Sequence, residues 1–140
     1  MVKRVGDLTA EEITKTVIPV SSPEKAVDII FYESEAGNCP FESFYDGLSR
    51  AQKTGVLAIL GVLTALGSNI RFPQSRNLGD GLFELRINKR EYCIRILYFF
   101  CEGKVVVLTN GFVKKRKKTP PQEIQLAKDR RKDYLRRKPK

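Results

Sequence analysis

The chain contains no histidine. It therefore lacks the side chain that most readily moves protons near neutral pH. A zinc site is left with almost nothing to work with, because cysteine is scarce too. Cys39, Cys93 and Cys101 are odd in number and show no CxxC spacing, so reduced thiols in a cytoplasmic protein are the economical reading. Cys93 and Cys101 sit in apolar strand-like context and read as small hydrophobes. No metal and no cofactor is expected. Long apolar runs are missing as well. The longest, residues 56–66, is broken by Gly61 and Thr64 and falls short of the ~18 residues of a membrane span. The opening residues MVKRVGDLTAEEI hold no apolar core of a secretory signal. No membrane partner is expected.

Acidic residues are scarce where basic ones crowd. Residues 113–140 hold 13 Lys/Arg and 3 Asp/Glu, whereas residues 1–112 hold 13 of each. All of the net charge of +10 thus sits in the last fifth of the chain. Such a field favours polyanions: RNA, DNA or an acidic protein. A solvated basic tail is the bland alternative. The attachment of the run 114–118 to an apolar, strand-like segment tilts the balance toward binding.

The 140 residues fit one domain. Residues 1–23 read as an N-terminal extension. Thr9 and Glu12 form a capping-box pattern that can start a short helix over 9–17, ended by Pro19 and Pro23. Residues 24–140 carry the main domain. AVDIIFYE, 26–33, reads as a strand. Phe41, Phe44, Tyr45 and Leu48 recur at helical spacing over 40–49, and a second helix spans 50–66 with a wide apolar stripe. Gly55 and Gly61 in that helix point to close packing. The segment 67–81 is dense in Gly, Asn, Asp, Ser and Pro and reads as a loop. Strands follow at 82–88, 91–100 and 104–110, then a basic helix at 120–137 started by Pro120-Pro121. The order β-α-α-β-β-β-α predicts an α+β fold, a small mostly antiparallel sheet with helices on one face.

Strand alternation sorts Phe83, Leu85 and Ile87 to one face and Glu84, Arg86 and Asn88 to the other. A turn at Lys89-Arg90 would pair Arg86 with Cys93 and Glu84 with Arg95. Two readings of this polar face stay open. In one, Glu84 and Arg95 form a cross-strand ion pair worth about 0.2–1 kcal/mol, and Arg86 is solvated. In the other, Arg86 and Arg95 floor a phosphate-binding concavity. Lys114, Lys115 and Lys118 close one side of it and Arg76 another. Tyr98 and Phe112 then offer stacking surfaces if exposed, though Phe112 reads equally as a core plug. Tyr134 fits core packing.

The ordered set GLFELRI (81–87), IRILYF (94–99), GFVKK (111–115) and KTP (118–120), with Glu123, Ile124 and Ala127, resembles the HigB-type, phage-derived branch of the RelE/ParE toxin superfamily. Phe31-Tyr32, GNCPF (37–41) and Phe44 extend the likeness, which covers residues 26–136. The resemblance implies a RelE-like sheet with two N-terminal helices and one C-terminal helix. It implies the toxin of a type II toxin–antitoxin pair, a ribosome-dependent endonuclease of mRNA. Its partners would be a cognate antitoxin of helix-turn-helix type, the ribosome with its rRNA, and mRNA. By the same resemblance Arg95 matches a catalytic arginine on the middle strand. Arg86 matches the arginine of the preceding strand, in a catalytic or structural role. Lys114 and Lys115 fall where a basic residue contacts the scissile phosphate. Arg76, Arg116, Lys117, Lys118, Arg130 and Arg131 would meet RNA or rRNA phosphates, adding salt-sensitive affinity without sequence information. Relatives of the HigB type often use histidine in the site, and this chain departs from them there. A lysine crowded by other cations can have a lowered pKa and act as base, and a tyrosine can also take part. Two other functions share the scaffold: a ParE-like, non-enzymatic inhibitor of DNA gyrase, and an inactive prophage protein that binds nucleic acid.

Overall fold

Apolar strands in the second half of the chain build the sheet on which everything else rests. The computed structural model describes residues 3–4, 25–115 and 118–138. Its elements run β1 (Lys3–Arg4), β2 (Asp28–Phe31), α1 (Pro40–Asp46), α2 (Arg50–Leu66), β3 (Ser75–Gly79), β4 (Leu82–Asn88), β5 (Cys93–Cys101), β6 (Val105–Val113) and α3 (Pro121–Arg137). Among the described residues the six strands form one sheet in the order β1-β2-β6-β5-β4-β3. Of these strands, only β2 and β6 pair in parallel. The fold is α+β, as the element order predicts. The expected helix over 9–17 lies outside the described residues.

Local chemistry explains the helix starts. Pro40 opens α1, where its missing N–H is not needed. Ser49 caps α2, its hydroxyl accepting from Gln52 N–H at 3.2 Å while the Gln52 side chain accepts from Ser49 N–H at 2.8 Å. The buried stripe Val56, Leu57, Ile59, Leu60 and Leu63 lies on the sheet. Arg50–Asn69 has a mean hydropathy of 1.3 and enough length to cross a membrane, yet in this fold that stripe covers Leu85, Ile87, Ile94 and Ile96. Gly55 is where α2 and the β4–β5 loop meet: a Cβ there would lie 2.7 Å from the Tyr92 hydroxyl.

Three expectations are corrected. First, the helices do not share one face. α1 and α2 cover one side of the sheet, while α3 packs on the other through Ala127, Ile124 and Tyr134 against Leu82, Leu97, Phe99 and Val107. Strands buried on both faces read as nearly continuous apolar runs, which is what β5 is. Second, the loop 67–81 contains β3, an edge strand paired antiparallel with β4. Its residues SRNLG are poor strand formers, and pairing with β4 overrides their propensity. Third, the β4–β5 register is shifted by two: Arg86 stands opposite Arg95, Glu84 opposite Leu97 and Asn88 opposite Cys93. The turn takes four residues, closed by Lys89 N–H to Tyr92 C=O at 2.9 Å. Tyr92 is held out of the ladder by donating its hydroxyl to the Ala51 carbonyl, 3.0 Å away on α2. A shift of two preserves every face assignment.

Candidate functional site

On the α3 side of the sheet, β3, β4, β5 and the end of β6 bring charged residues together. Arg76 stands opposite Glu84 on the neighbouring strand, and Arg86 opposite Arg95. Glu84 is buried and anchors the group. Its Oε1 lies 3.6 Å from Arg95 Nε and 3.9 Å from Arg86 Nε, and its Oε2 accepts from the Thr119 hydroxyl. The carboxylate is thus shared between two guanidinium groups, with neither bound closely. Arg95 is 2% exposed and donates through Nη1 to the Ile94 carbonyl at 3.0 Å. Among the described residues neither Arg86 Nε nor Arg95 Nε has a hydrogen-bond partner. Buried guanidinium donors left open in this way are uncommon.

A bulge brings Lys114 into this group. The β5–β6 register slips between Leu97 and Tyr98, so that Leu97 opposes Asn110 and Tyr98 opposes Leu108. Thr109 is the extra residue, and its hydroxyl donates to the Leu97 carbonyl at 3.1 Å. Leu108 consequently joins the core under α1 and α2, whereas Phe112 packs on the α3 side. Bulges re-aim side chains in this way beside functional sites. Lys114 N–H then closes onto the Cys93 carbonyl at 2.8 Å. Burial, with the Arg95 and Arg86 cations nearby, holds the Lys114 ammonium below its ordinary pKa of 10.5. Burial likewise holds the Arg95 guanidinium below its ordinary pKa, against the opposing pull of Glu84.

The family follows from a comparison that covers this whole cluster. A model of the phage derived protein Gp49-like family (DUF891) matches residues 43–132, more than half of the chain. The chain belongs to that family. The Gp49-like family is toxin-like and related to RelE/ParE. No curated protein matches the chain. The matched stretch runs from within α1 through most of α3, and holds Arg76, Arg86, Arg95 and Lys114 of this Gp49-like chain.

The other residues singled out from the sequence are distributed differently. Lys115 and Lys118 are exposed on the segment leading from β6 to α3. Arg116 and Lys117 lie outside the described residues. Arg130 donates to the Thr109 carbonyl at 3.0 Å, and Arg131 pairs with Asp80 at 3.0 Å, so both tie α3 to the sheet. The stacking surfaces expected of Tyr98 and Phe112 do not form. Tyr98 is fully buried with its hydroxyl 2.6 Å from that of Ser75, and Phe112 packs against the core under α3. Tyr134 packs on Phe99 with ring centroids 6.0 Å apart, in keeping with a core role. Sequence reasoning missed Phe72. Its ring lies 5.0 Å from the Arg86 guanidinium, and it is 69% exposed. An aromatic in a polar loop was the available signal.

Proposed function

We propose that this chain is the toxin of a type II toxin–antitoxin pair, a HigB-like, ribosome-dependent endoribonuclease that cuts mRNA by metal-free chemistry. The observation that supports it is the convergence of Arg76, Arg86, Arg95 and Lys114 around one buried carboxylate, with two guanidinium Nε donors left open. In the reaction the ribose 2′-oxygen bonds to the adjacent phosphorus and the bond to the 5′-oxygen breaks. A cyclic phosphate forms, and the 5′-oxygen leaves as an alcohol protonated from solvent. Charge builds on the phosphoryl oxygens, where preorganised cations act most strongly. Arg86 and Arg76 meet the phosphate from the open side, and Arg95 contributes its charge from beneath. Lys114 takes the 2′-hydroxyl proton, a role its lowered pKa suits. The partners are a helix-turn-helix antitoxin, the ribosome and translated mRNA, which places the activity in the cytoplasm.

The test is to express the wild type, Lys114→Ala and Lys114→Arg and map new 5′ ends on translated and untranslated messages. Wild type cuts within translated frames only. Lys114→Ala loses about 100-fold or more, as for a missing general base. Only the neutral amine accepts a proton, so wild-type activity rises with pH up to the Lys114 pKa, below 10.5. Lys114→Arg keeps the charge but loses that rising limb. Growth arrest with intact mRNA would instead indicate a protein target such as gyrase and overturn the reading.

A further inference from the structure

We infer that Phe72 is a nucleobase-stacking platform, seating the base attached to the phosphate that Arg86 holds. The inference deepens the proposed function and rests on it. Phe72 is the most exposed large hydrophobic among the described residues, at 69% against 49% for Leu135. A lone exposed aromatic is ordinary; its partner is what distinguishes this one. The guanidinium lying 5.0 Å from the ring centroid belongs to Arg86, whose side chain is 16% exposed and is shared with Glu84. One side chain therefore joins the phosphate cluster to the ring. The guanidinium supports the ring from one direction and leaves most of it open to solvent. Single-stranded RNA is bound where cations track the backbone beside aromatic faces that stack the bases, and stacking tolerates any base. Tyr98 is buried on the opposite face of the sheet, and Phe112 is partly buried against the core under α3. Among the described residues Phe72 is the most exposed aromatic ring. The segment that carries Phe72 is tied to β4 beside it: Gln74 C=O accepts from the Arg86 backbone N–H at 2.9 Å.

The test uses the full-length protein and a short single-stranded RNA carrying one 2-aminopurine, whose fluorescence is quenched on stacking. Wild type binds with quenching at saturation. Phe72→Ala loses about 10-fold in affinity, as for a lost base–aromatic stack, and the quenching disappears, whereas Phe72→Trp restores both. Lys114→Ala weakens binding but leaves the quenching at saturation intact. Full affinity and full quenching in Phe72→Ala overturn the platform while leaving the phosphate site standing. Unchanged affinity in Lys114→Ala and Arg86→Ala overturns the phosphate site itself. Failure of the wild type to bind the RNA overturns the platform, while cleavage of translated messages tests the phosphate site separately.

Discussion

Glu84 does more than neutralise charge. It is 1% exposed and sits between Arg86 and Arg95, so removing it leaves two cations without a counter-ion in a poorly solvated place. Glu84→Ala is expected to lower unfolding free energy by about 3–5 kcal/mol, the cost of breaking a buried pair from one side. Urea titration measures it, and a loss below about 1 kcal/mol would show that water reaches the site and screens the arginines. The composition of this face was legible beforehand, because alternation along 82–88 separates Glu84 and Arg86 from Phe83, Leu85 and Ile87 whatever the register. Which residues stand opposite one another was not. That depends on the length of the turn, and Tyr92 sets it by bonding to α2, 41 positions away.

At the scale of elements, the helices and the meander strands were readable from apolar periodicity, and α2 at 50–66 matches its expected span. β3 was not, because an edge strand of SRNLG owes its conformation to the ladder it joins. The turn into β4 needs left-handed backbone at Gly79, Asp80 and Gly81, and that glycine-rich signal reads equally as a plain loop. The fit of α1 against β6 gives a sharper test. A Cβ at Gly111 would come within 2.6 Å of the Phe44 ring, which is itself packed near Phe41 at 6.0 Å. Gly111→Ala is therefore expected to cost about 1–3 kcal/mol by overpacking, read as a lower denaturation midpoint with an unchanged slope. An unchanged midpoint would mean that Phe44 swings aside freely.

Across the whole molecule, the basic C-terminal segment has a structural role that composition could not show. Part of its charge is internally matched. Arg137 Nε donates to Asp133 at 3.0 Å, Tyr32 donates its hydroxyl to the same carboxylate at 2.6 Å, and Arg136 bridges Asp133 and Glu35. These contacts clamp the end of α3 to the end of β2. The Arg137 and Tyr32 hydrogen bonds hold the Asp133 carboxyl well below its ordinary 3.8. A depressed carboxyl contributes stability that is fully present above the unfolded value and lost as pH falls through the folded one. Asp133→Asn should thus melt at a lower temperature than wild type at neutral pH, and the gap should shrink progressively below pH 3.8. A gap independent of pH would show that the clamp works by shape alone. The sequence by itself determined the α+β class, the helix and meander strands and the two-faced character of β4, because side-chain periodicity is local. Only the tertiary structure decided that α3 takes the opposite face from α1 and α2, that Arg86 meets Arg95, and that the bulge at Thr109 turns Lys114 toward them. Those outcomes depend on pairings between segments far apart in the chain, and a face or register is chosen there by what the partner buries.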